Sequence, residues 1–373
     1  MTIAILGAGM VGRTIALDLS SDYDVTAFDL SKANLEELHN RSSTIKTAAA
    51  DLADYRWHGD VLKPFDLVVS AVPGFMGFKT LQAVIQAGKD VVDISFFPED
   101  ALQLDALAKT KDVTAITDCG VAPGMSNLIL GRINEEMKVK SFACYVGGLP
   151  TERTPPFQYK APFSPVDVIQ EYIRPARMVE AGAVVTKPAL SEREIIHFDE
   201  VGELEAFNTD GLRSLVYTMN HIPDMLEKTL RYPGHIELIC ALKQAGFFES
   251  TPIHVDETDV VPLSFTSKLL VNQWKLLPDE EEFTIMKVII TGEKDGRPER
   301  VEYRLFDRYD RVSRTSSMAR TTGYTCTAAV NLVGKGLFRE KGVFPPELVG
   351  KHKRCFDFVL EYLRARNVNW RQV

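Results

Sequence analysis

The first 120 residues alternate short β-branched and apolar runs with segments whose apolar residues recur at helical spacing. Strands are predicted at residues 3–6, 25–29, 44–48, 67–71, 91–95 and 113–117, and helices at residues 11–19, 32–40, 79–86 and 100–110. Strands that alternate with helices pair in parallel through right-handed crossovers, with helices on both faces of the sheet. The pattern therefore predicts a doubly wound α/β domain with the apolar run 67–72 as a central strand.

The pattern changes after residue 120. Five prolines between residues 150 and 165 interrupt regular structure. Beyond residue 120, strands are predicted at residues 141–147, 204–207, 284–291 and 301–306, and helices at residues 166–181 and 236–244. The turn 293–296 ends in Asp-Gly and predicts a hairpin, and the acidic run 279–282 is expected to be a solvated loop. Without a βαβ rhythm, this part is expected to form an α+β domain.

A glycine-rich turn joins the first strand to the first helix, where residues 7–12 read G-A-G-M-V-G. Gly7 suits the tight turn, Gly9 the close approach of a pyrophosphate, and Gly12 the packing of the helix on the strand. The helix N-terminus offers free N–H groups and the positive end of its dipole to phosphates. A strand, G-x-G-x-x-G and a helix in this order predict a Rossmann domain that binds a nicotinamide dinucleotide.

The second predicted strand ends in an acidic residue, Asp29, which lies 17 positions after Gly12. A carboxylate there accepts hydrogen bonds from the ribose hydroxyls and repels a 2′-phosphate, so NAD is expected rather than NADP. Asp29 also fits as the cap of the helix that begins near Ser31, and the two roles are compatible.

Later strand ends are expected to complete the dinucleotide site, because ligands of open α/β sheets bind at the carboxyl edge. For Asp93, at the end of the fifth strand, a turn-capping role is as well supported as a catalytic one. The residues expected to contact the cofactor are Gly7, Gly9, Met10, Val11, Gly12, Asp29, Leu30, Asp51, Leu52, Ser70, Ala71, Val72, Pro73, Ser95 and Gly120.

The segment after the sixth strand, residues 118–127, reads D-C-G-V-A-P-G-M-S-N. This turn is expected to bring Asp118 and Cys119 beside the nicotinamide, with small residues that allow a substrate to approach. A hinge between the domains is a compatible interpretation, and a buried cysteine is more often a space-filling residue than a reactive one.

At these motifs the chain resembles the saccharopine dehydrogenase-like family, and within it the lysine 6-dehydrogenase branch. The resemblance rests on the two motifs above together with G-G-L-P (147–150), N-T-D-G-L-R-S (208–214), T-L-R-Y-P-G-H (229–235) and S-M-A-R-T-T-G (317–323). Saccharopine reductases of the family resemble G-L-D-P-G at residues 120–124, whereas this chain has Ala122 in place of the acid. That difference removes a carboxylate and disfavours saccharopine itself as the substrate.

The resemblance implies a Rossmann domain at residues 1–123 and 317–373 and an inserted substrate-binding and dimerisation domain at residues 124–316. The apolar helix 321–338 is then expected to return to the first domain. It also implies oxidation of an amino-acid amine, with a nicotinamide cofactor accepting the hydride.

An amino-acid substrate needs a cation for its carboxylate and acceptors for its amines. Arg231 is the expected carboxylate clamp, because a guanidinium binds a carboxylate through two parallel bonds; Arg213 and Arg320 are weaker candidates. The other residues expected to bind substrate are Gly148, Tyr159, Lys160, Glu171 and Thr209, with Tyr159 and Lys160 in an active-site lid. Glu171 also fits a solvated helix face.

Oxidation of an amine requires a base, because the amine must lose a proton before or while the hydride leaves. The candidates for this base are Asp118, Asp93 and His235, which the sequence does not rank. Cys119 is a further catalytic candidate. A helix-capping role for His235 is the stronger alternative.

The composition of the chain disfavours several classes of protein. Lys and Arg number 43 against 51 Asp and Glu, a net charge of −8 that disfavours nucleic-acid binding. No apolar run reaches the roughly 20 residues of a membrane span, and the first strand begins too early for a signal peptide. The five cysteines are far apart without CxxC spacing, which predicts a cytoplasmic protein without disulfides or a metal.

The sequence therefore predicts NAD-dependent oxidative deamination of the side-chain amine of L-lysine or a close analogue, giving a semialdehyde that can cyclise. A saccharopine-type reductase that joins an amino acid to a semialdehyde with NAD(P)H is the alternative enzyme. A non-catalytic NAD-sensing regulator is the alternative of another class. A homo-oligomer, dimer or tetramer, is expected.

Overall fold

The computed structural model describes residues 1–278 and 280–373, with only the backbone at Trp57. In the first part of the chain the elements are β1 (Thr2–Leu6), α1 (Met10–Leu19), β2 (Asp24–Asp29), α2 (Lys32–Arg41), β3 (Lys46–Ala49), α3 (His58–Val61), β4 (Leu67–Ser70), α4 (Gly74–Gln86), β5 (Asp90–Asp93), α5 (Asp105–Thr110), β6 (Thr114–Ile116) and α6 (Met125–Asn134). The six predicted strands are therefore confirmed with their ends shifted by at most two residues.

The middle of the chain contains β7 (Lys138–Pro150), α7 (Pro165–Ile173), β8 (Ala176–Glu180), β9 (Ala183–Lys187), β10 (Glu194–Phe198), β11 (Gly202–Asn208), α8 (Leu215–Thr218), β12 (Asp224–Arg231), α9 (His235–Gln244), β13 (Ile253–Val255), β14 (Thr258–Val260), α10 (Pro262–Trp274), β15 (Glu282–Lys294) and β16 (Arg297–Arg308). The last elements are α11 (Ser317–Gly334), β17 (Gly342–Phe344), α12 (Pro346–Gly350), α13 (Lys353–Arg364) and β18 (Trp370–Gln372).

The first sheet is parallel, with the strand order β17-β6-β5-β4-β1-β2-β3. Alternate residues of β1 are buried on opposite faces, Ile3 and Ile5 in one apolar cluster and Ala4 and Leu6 in another. A strand buried on both faces needs helices on both sides, which α1 and α11 supply on one face and α4 and α5 on the other. The predicted doubly wound α/β sheet is confirmed.

The second sheet is mixed, with the order β10-β11-β12-β7-β15-β16-β18 and the hairpin β8–β9 attached to β12. At its centre β12 and β7 run parallel, so that Thr229 lies beside Val146. The chain enters this sheet after α6 and leaves it at α11, which confirms the inserted α+β unit.

The C-terminal part of the chain returns to the first sheet, as predicted. Helix α11 lies against α1, where Thr327 donates a hydrogen bond to Asp18 Oδ2 at 2.6 Å. Strand β17 then extends the first sheet beside β6. The last strand, β18, pairs instead with β16 of the second sheet, so the C-terminus contacts both parts.

Two expectations for the middle of the chain are wrong. The predicted helix 166–181 ends at Ile173, because Pro175 disfavours helical backbone at Arg174 and has no N–H to donate; the chain continues as a strand. The acidic run 279–282 is not wholly a solvated loop, since Glu282 begins β15 and is 1% exposed. Asp279 lies outside the described residues. None of the described helices is long and apolar enough to cross a membrane.

Candidate active site

A cavity of about 900 Å³ lies between the carboxyl edge of the first sheet and one face of the second. The first sheet contributes the β1–α1 turn and the ends of β2, β4, β5 and β6. The second part contributes β7, α7, β12 and α10, and α11 adds Met318 and Thr322. The two parts of the chain therefore share one cavity.

The glycine-rich turn leaves no room for side chains at two of its positions. Gly7 has φ +105°, and a Cβ at Gly7 would clash with the carbonyl oxygen of Ala71. A Cβ at Gly12 would clash with the carbonyl oxygen of Gly7, so the first turn of α1 packs directly on the turn. At Gly9 a Cβ would meet nothing within 4 Å, because this residue borders the cavity.

Helix α1 begins at Met10 without a side-chain cap. Its first N–H groups and the positive end of its dipole are therefore available to a phosphate. Met10 and Val11 line the cavity at this helix end, as expected for the cofactor set.

Asp29 occupies the end of β2 at the cavity wall. Its Oδ2 accepts a hydrogen bond from Ala8 N at 2.7 Å and its Oδ1 one from Ser31 N at 2.7 Å. The carboxylate thus joins the glycine-rich turn to the start of α2. Leu30, 71% exposed, lies beside it, and Asp51 and Leu52 line the same end of the cavity.

Of the remaining residues in the predicted cofactor set, Ala71, Val72, Pro73, Ser95 and Gly120 line the cavity. Ser70 does not. It is fully buried in β4, and its hydroxyl lies 3.4 Å from the hydroxyl of Ser95, which stands between it and the cavity.

Two of the predicted catalytic residues lie beneath the cavity wall. Asp93 is fully buried and accepts hydrogen bonds from the N–H and the hydroxyl of Ser95 at 2.9 and 3.0 Å. Burial raises the pKa of its carboxyl to about 7. Cys119 is 3% exposed, and burial holds the pKa of its thiol well above the usual value, so it is not a thiolate nucleophile.

Asp118 does line the cavity, but its carboxylate is already paired. The Arg213 guanidinium donates to Asp118 Oδ1 from Nη2 at 2.8 Å, and both side chains are about 95% buried. Arg213 therefore joins the two parts of the chain and, with its guanidinium held by Asp118, is not a free clamp for a substrate carboxylate. Arg320, the other weaker clamp candidate, pairs with Asp307.

Strand β12 presents three polar side chains to the cavity at every second residue: Glu227, Thr229 and Arg231. Side chains alternate across a strand, which places Lys228 on the opposite face, where it binds Glu194 at 2.6 Å. Thr209 also lines the cavity, with its hydroxyl 2.8 Å from that of Thr229.

Arg231 is 2% exposed and held by three neighbours. Its Nη2 donates to Glu171 Oε2 at 3.0 Å, its Nε to the Tyr172 hydroxyl at 3.0 Å, and its Nη1 to the Leu230 carbonyl oxygen at 2.9 Å. The Glu171 carboxylate already neutralises the guanidinium, so Arg231 is not the free bidentate clamp that the sequence predicted. Burial, opposed by Arg231, raises the pKa of Glu171.

The structure does not bring His235, Tyr159 or Lys160 to the cavity wall. His235 is 2% exposed, with Nε2 3.0 Å from the Tyr172 hydroxyl and Nδ1 2.9 Å from the Phe157 carbonyl oxygen. Desolvation and the nearby Arg231 lower its pKa to about 3, so it stays neutral and does not face a substrate. The Tyr159 ring packs against the Arg231 guanidinium, with 4.4 Å between the ring centroid and Arg231 Cζ. Lys160 Nζ pairs with Glu280 Oε1 at 3.0 Å.

Gly148 lines the cavity where β7 passes close to two other segments. A Cβ there would lie 2.6 Å from Pro162 Cγ and 2.7 Å from Met318 Cε. Its role in the structure is therefore close packing at the cavity wall.

Sequence reasoning missed two acidic residues of the cavity. Asp167, one turn before Glu171 on α7, accepts a hydrogen bond from the Gly74 N–H at the start of α4. Glu227 is 5% exposed, and no described residue donates a hydrogen bond to its carboxyl. The alternation Glu227-x-Thr229-x-Arg231 would have identified Glu227 if residues 224–231 had been read as a strand.

Comparison with known proteins gives the family of this chain. Residues 3–116 match the saccharopine dehydrogenase NADP binding domain, and residues 120–368 match the saccharopine dehydrogenase C-terminal domain. The chain belongs to the saccharopine dehydrogenase family. The predicted resemblance is therefore confirmed at the level of the family, whose members are oxidoreductases.

Among curated relatives, the chain is 25% identical over 264 residues to the saccharopine dehydrogenase (NADP(+), L-glutamate-forming) of Saccharomyces cerevisiae, covering 66% of this chain and 58% of the yeast protein. It is 25% identical over 285 residues to the α-aminoadipic semialdehyde synthase of Arabidopsis thaliana, covering 66% of this chain and 27% of the plant protein. This chain thus spans between about a quarter and three fifths of these two relatives.

The fold of this saccharopine dehydrogenase family member matches a solved structure across its whole length. The apo saccharopine dehydrogenase (L-Glu forming) from Saccharomyces cerevisiae superposes with a TM-score of 0.79 at 21% identity, covering 100% of this chain and 99% of the yeast chain.

The glycine-rich end of the cavity fits a nicotinamide dinucleotide. Gly9 borders open space, the α1 N-terminus is uncapped, and the Asp29 carboxylate stands where the second strand meets the cavity. These features offer hydrogen-bond donors to a pyrophosphate and an acceptor to a ribose. The family match and this geometry agree on a nicotinamide cofactor.

Proposed function

We propose that the protein catalyses nicotinamide-dependent oxidation of the side-chain amine of a basic amino acid, with L-lysine as the first candidate substrate. The observation that carries the proposal is the excess of carboxyl groups over cations at the end of the cavity formed by the second sheet. A nicotinamide cofactor, when bound, accepts the hydride that an amine oxidation releases.

The charged groups at that end of the cavity are few. Among the described lining residues, the cations are Arg231 and Lys275, and the carboxyl groups are those of Asp167, Glu171 and Glu227. Arg231 is already neutralised by Glu171. A substrate with two amines and one carboxylate matches this balance, because each buried charge needs a partner of opposite sign.

Different residues of the cavity are placed to bind the ammonium groups and the carboxylate of the substrate. The carboxyl groups of β12 and α7 are placed to receive ammonium groups. The exposed Lys275 at the end of α10 and the unused N–H groups of Arg231 are the donors available to a carboxylate. The small residues Gly120 and Ala122 line the cavity between the two sheets and leave the reacting carbon room to approach. The imine product then hydrolyses to the semialdehyde.

We propose NAD as the preferred cofactor. The support is the Asp29 carboxylate, which is fixed at the cavity wall by Ala8 and Ser31 and would repel a 2′-phosphate. The matched family domain is described as NADP binding, so a preference for NAD would distinguish this chain from that description.

A saccharopine-type reaction, which forms or cleaves a secondary amine between two amino acids, is the second candidate. It is favoured by the names of the curated relatives and, by itself, the family comparison supports it better than lysine oxidation. A substrate with three carboxylates, however, would meet only one cation that lacks a carboxylate partner among the described lining residues, Lys275.

The test is an assay of nicotinamide absorbance with the purified protein. L-lysine with NAD+ or NADP+ should produce reduced cofactor, with NAD+ preferred. Saccharopine should not. Consumption of reduced cofactor only when an amino acid and a semialdehyde are both present would establish the second candidate. Tight dinucleotide binding without turnover of any amine would favour the non-catalytic regulator.

A further inference from the structure

Glu227 is a buried carboxyl group without a fixed partner inside the cavity. It is 5% exposed, it lines the cavity from the centre of the second sheet, and no described residue donates a hydrogen bond to it. A carboxyl group that accepts no hydrogen bond from the protein must take its hydrogen bonds from water or a ligand in the cavity. Groups of this kind concentrate at functional sites.

The fold leaves specific room for this carboxyl group. A Cβ at Gly211 would collide with both carboxyl oxygens of Glu227, so only glycine at residue 211 allows the side chain its position. Gly211 lies in the segment between β11 and α8, which packs against Glu227 in the middle of β12. The backbone there is therefore matched to a glutamate that faces the cavity.

The other titratable residues in or near the cavity that could act as a base are either bonded to a protein partner or lie behind the cavity wall. Asp118 is held by Arg213, Glu171 by Arg231, and Asp167 by the Gly74 N–H. Asp93 lies beneath Ser95. His235 lies behind Tyr172, away from the cavity. Among the described titratable side chains at the substrate end, Glu227 is thus the one whose carboxyl group accepts no hydrogen bond from the protein.

The surroundings of Glu227 favour its protonated form. The groups that act on it are Glu171 from α7, Asp210 and Arg213 from the segment after β11, and Asp118 from the β6 turn, with the Cys144 thiol on the neighbouring strand β7. Desolvation dominates, and together with the acidic neighbours it raises the pKa of Glu227 to about 8. A general base is most effective when its pKa lies near the working pH.

We propose that Glu227 is the catalytic residue that takes the proton from the substrate ammonium group before the hydride leaves the adjacent carbon. The inference rests on the proposed function and adds the identity of the base. None of Asp93, Asp118, Cys119 and His235, the candidates drawn from the sequence, then has this role.

The Glu227 carboxylate takes one N–H proton from R–CH2–NH3+ and becomes a carboxylic acid, leaving a neutral amine. The nitrogen lone pair forms the C=N bond as the C–H bond breaks, and the hydride with its two electrons passes to the oxidised dinucleotide. Water then adds to the iminium ion, giving the aldehyde and an ammonium ion. At neutral pH the free enzyme must first release the Glu227 proton to accept a charged substrate.

Proton release gives a test that does not depend on turnover. Lysine is titrated calorimetrically into the complex of the protein with reduced cofactor, near pH 7, in buffers of different ionisation enthalpy. Wild type should release close to one proton per lysine bound, and Glu227→Gln should release nearly none. The matched control is Glu194→Gln, whose side chain binds Lys228 on the opposite face of β12 and should behave as wild type.

Kinetics give the second readout. For wild type, kcat/KM for lysine should rise with pH up to about 8. Glu227→Gln should lower kcat by roughly 100-fold or more and abolish the rise of kcat/KM with pH. Glu227→Asp should restore part of kcat and part of this pH dependence. Unchanged dinucleotide binding and a cooperative thermal unfolding transition show that the variants are folded.

The outcomes separate the two proposals. If wild type oxidises no amine with either cofactor, the proposed function fails. If wild type oxidises lysine but Glu227→Gln keeps the proton release or the rise of kcat/KM with pH, or changes KM alone, the proposal that Glu227 is the base is overturned.

Discussion

Arg213 donates two hydrogen bonds to one oxygen of Asp118, from Nε at 3.2 Å and from Nη2 at 2.8 Å. Both residues have positive φ, +53° in each case, a conformation that is uncommon for residues other than glycine. Two segments 95 residues apart thus hold unfavourable backbone conformations so that a buried ion pair can close one wall of the cavity. The pair links the carboxyl edge of the first sheet to the second part of the chain.

Arg213→Met should therefore lower the free energy of unfolding by about 3–5 kcal/mol, because it leaves the Asp118 carboxylate buried and unpaired. The double variant Asp118→Asn/Arg213→Met should lose less than the single variant, since no buried charge remains. Urea denaturation measures both. A single variant no less stable than the double one would contradict this role for the pair.

Asp29→Ser should shift the cofactor preference. Loss of the hydrogen bond that a ribose hydroxyl donates to this carboxylate should raise the Kd for NAD roughly tenfold, while the Kd for NADP should fall or stay constant because the repulsion is removed. Equilibrium titration of both cofactors measures the ratio. The control is Asp24→Ser, at the opposite end of β2, where the side chain pairs with Lys46 at the surface. An unchanged ratio would show that Asp29 does not select the cofactor.

Gly211→Ala should destabilise the protein because its Cβ would displace the Glu227 carboxyl. The same change in a Glu227→Ala background should be less costly, with a coupling free energy of about 1–3 kcal/mol in a double-mutant cycle of unfolding. Gly59→Ala serves as control, since a Cβ there meets nothing within 4 Å. Additive effects of the two substitutions would mean that Gly211 and Glu227 do not compete for space.

The stability of the protein should fall as pH rises from about 4.5 to about 8. Burial raises the pKa of both Glu227 and Glu282 to about 8, so between these pH values the native state binds more protons than the unfolded state. The contribution of these two carboxyl groups to the free energy of unfolding is fully present below their pKa in the unfolded state. It is lost as the pH rises through their pKa in the folded state. The Glu227→Gln and Glu282→Gln variants should lose less stability than wild type over this range, on the order of 1 kcal/mol per pH unit for each. Denaturant titrations at several pH values measure this; parallel profiles for variant and wild type would contradict it.

Tyr172→Phe should impair substrate binding through Arg231. The Tyr172 hydroxyl accepts from Arg231 Nε and bonds His235 Nε2, both at 3.0 Å, so it fixes the guanidinium beside Glu171. KM for the amino acid should rise roughly tenfold, the effect of losing a hydrogen bond to a charged group, while the Kd for the dinucleotide stays constant. Tyr145→Phe, on β7 with its hydroxyl 3.5 Å from Glu194, is the control. An equal rise in KM and dinucleotide Kd would indicate a general loss of structure instead.

The local signals along the chain were sufficient for the first sheet and its glycine-rich turn. Strand runs such as 67–71 and helix runs such as 11–19 alternate clearly, and Gly7 and Gly12 follow from the geometry of one short turn. The second part was harder to predict. The pattern of residues does not predict the strand Asp224–Arg231, because Glu227, Lys228 and Arg231 make it more polar than an ordinary central strand. The apolar pattern over residues 166–181 predicts a longer helix than the structure has, because Pro175 ends the helix at Ile173.

The sequence by itself determined the doubly wound sheet and the nicotinamide site at its edge, because the alternation of strands with helices and the glycine-rich turn are local patterns in the chain. The order of the motifs along the chain determined the family. The tertiary structure alone decided which charged groups face the cavity and which are already paired. Arg231, Asp118 and His235 are all suitable residues for amine chemistry, but Glu171, Arg213 and the Tyr172 hydroxyl respectively engage them. These partners come from distant segments, so only the fold shows that Glu227 remains open to a ligand.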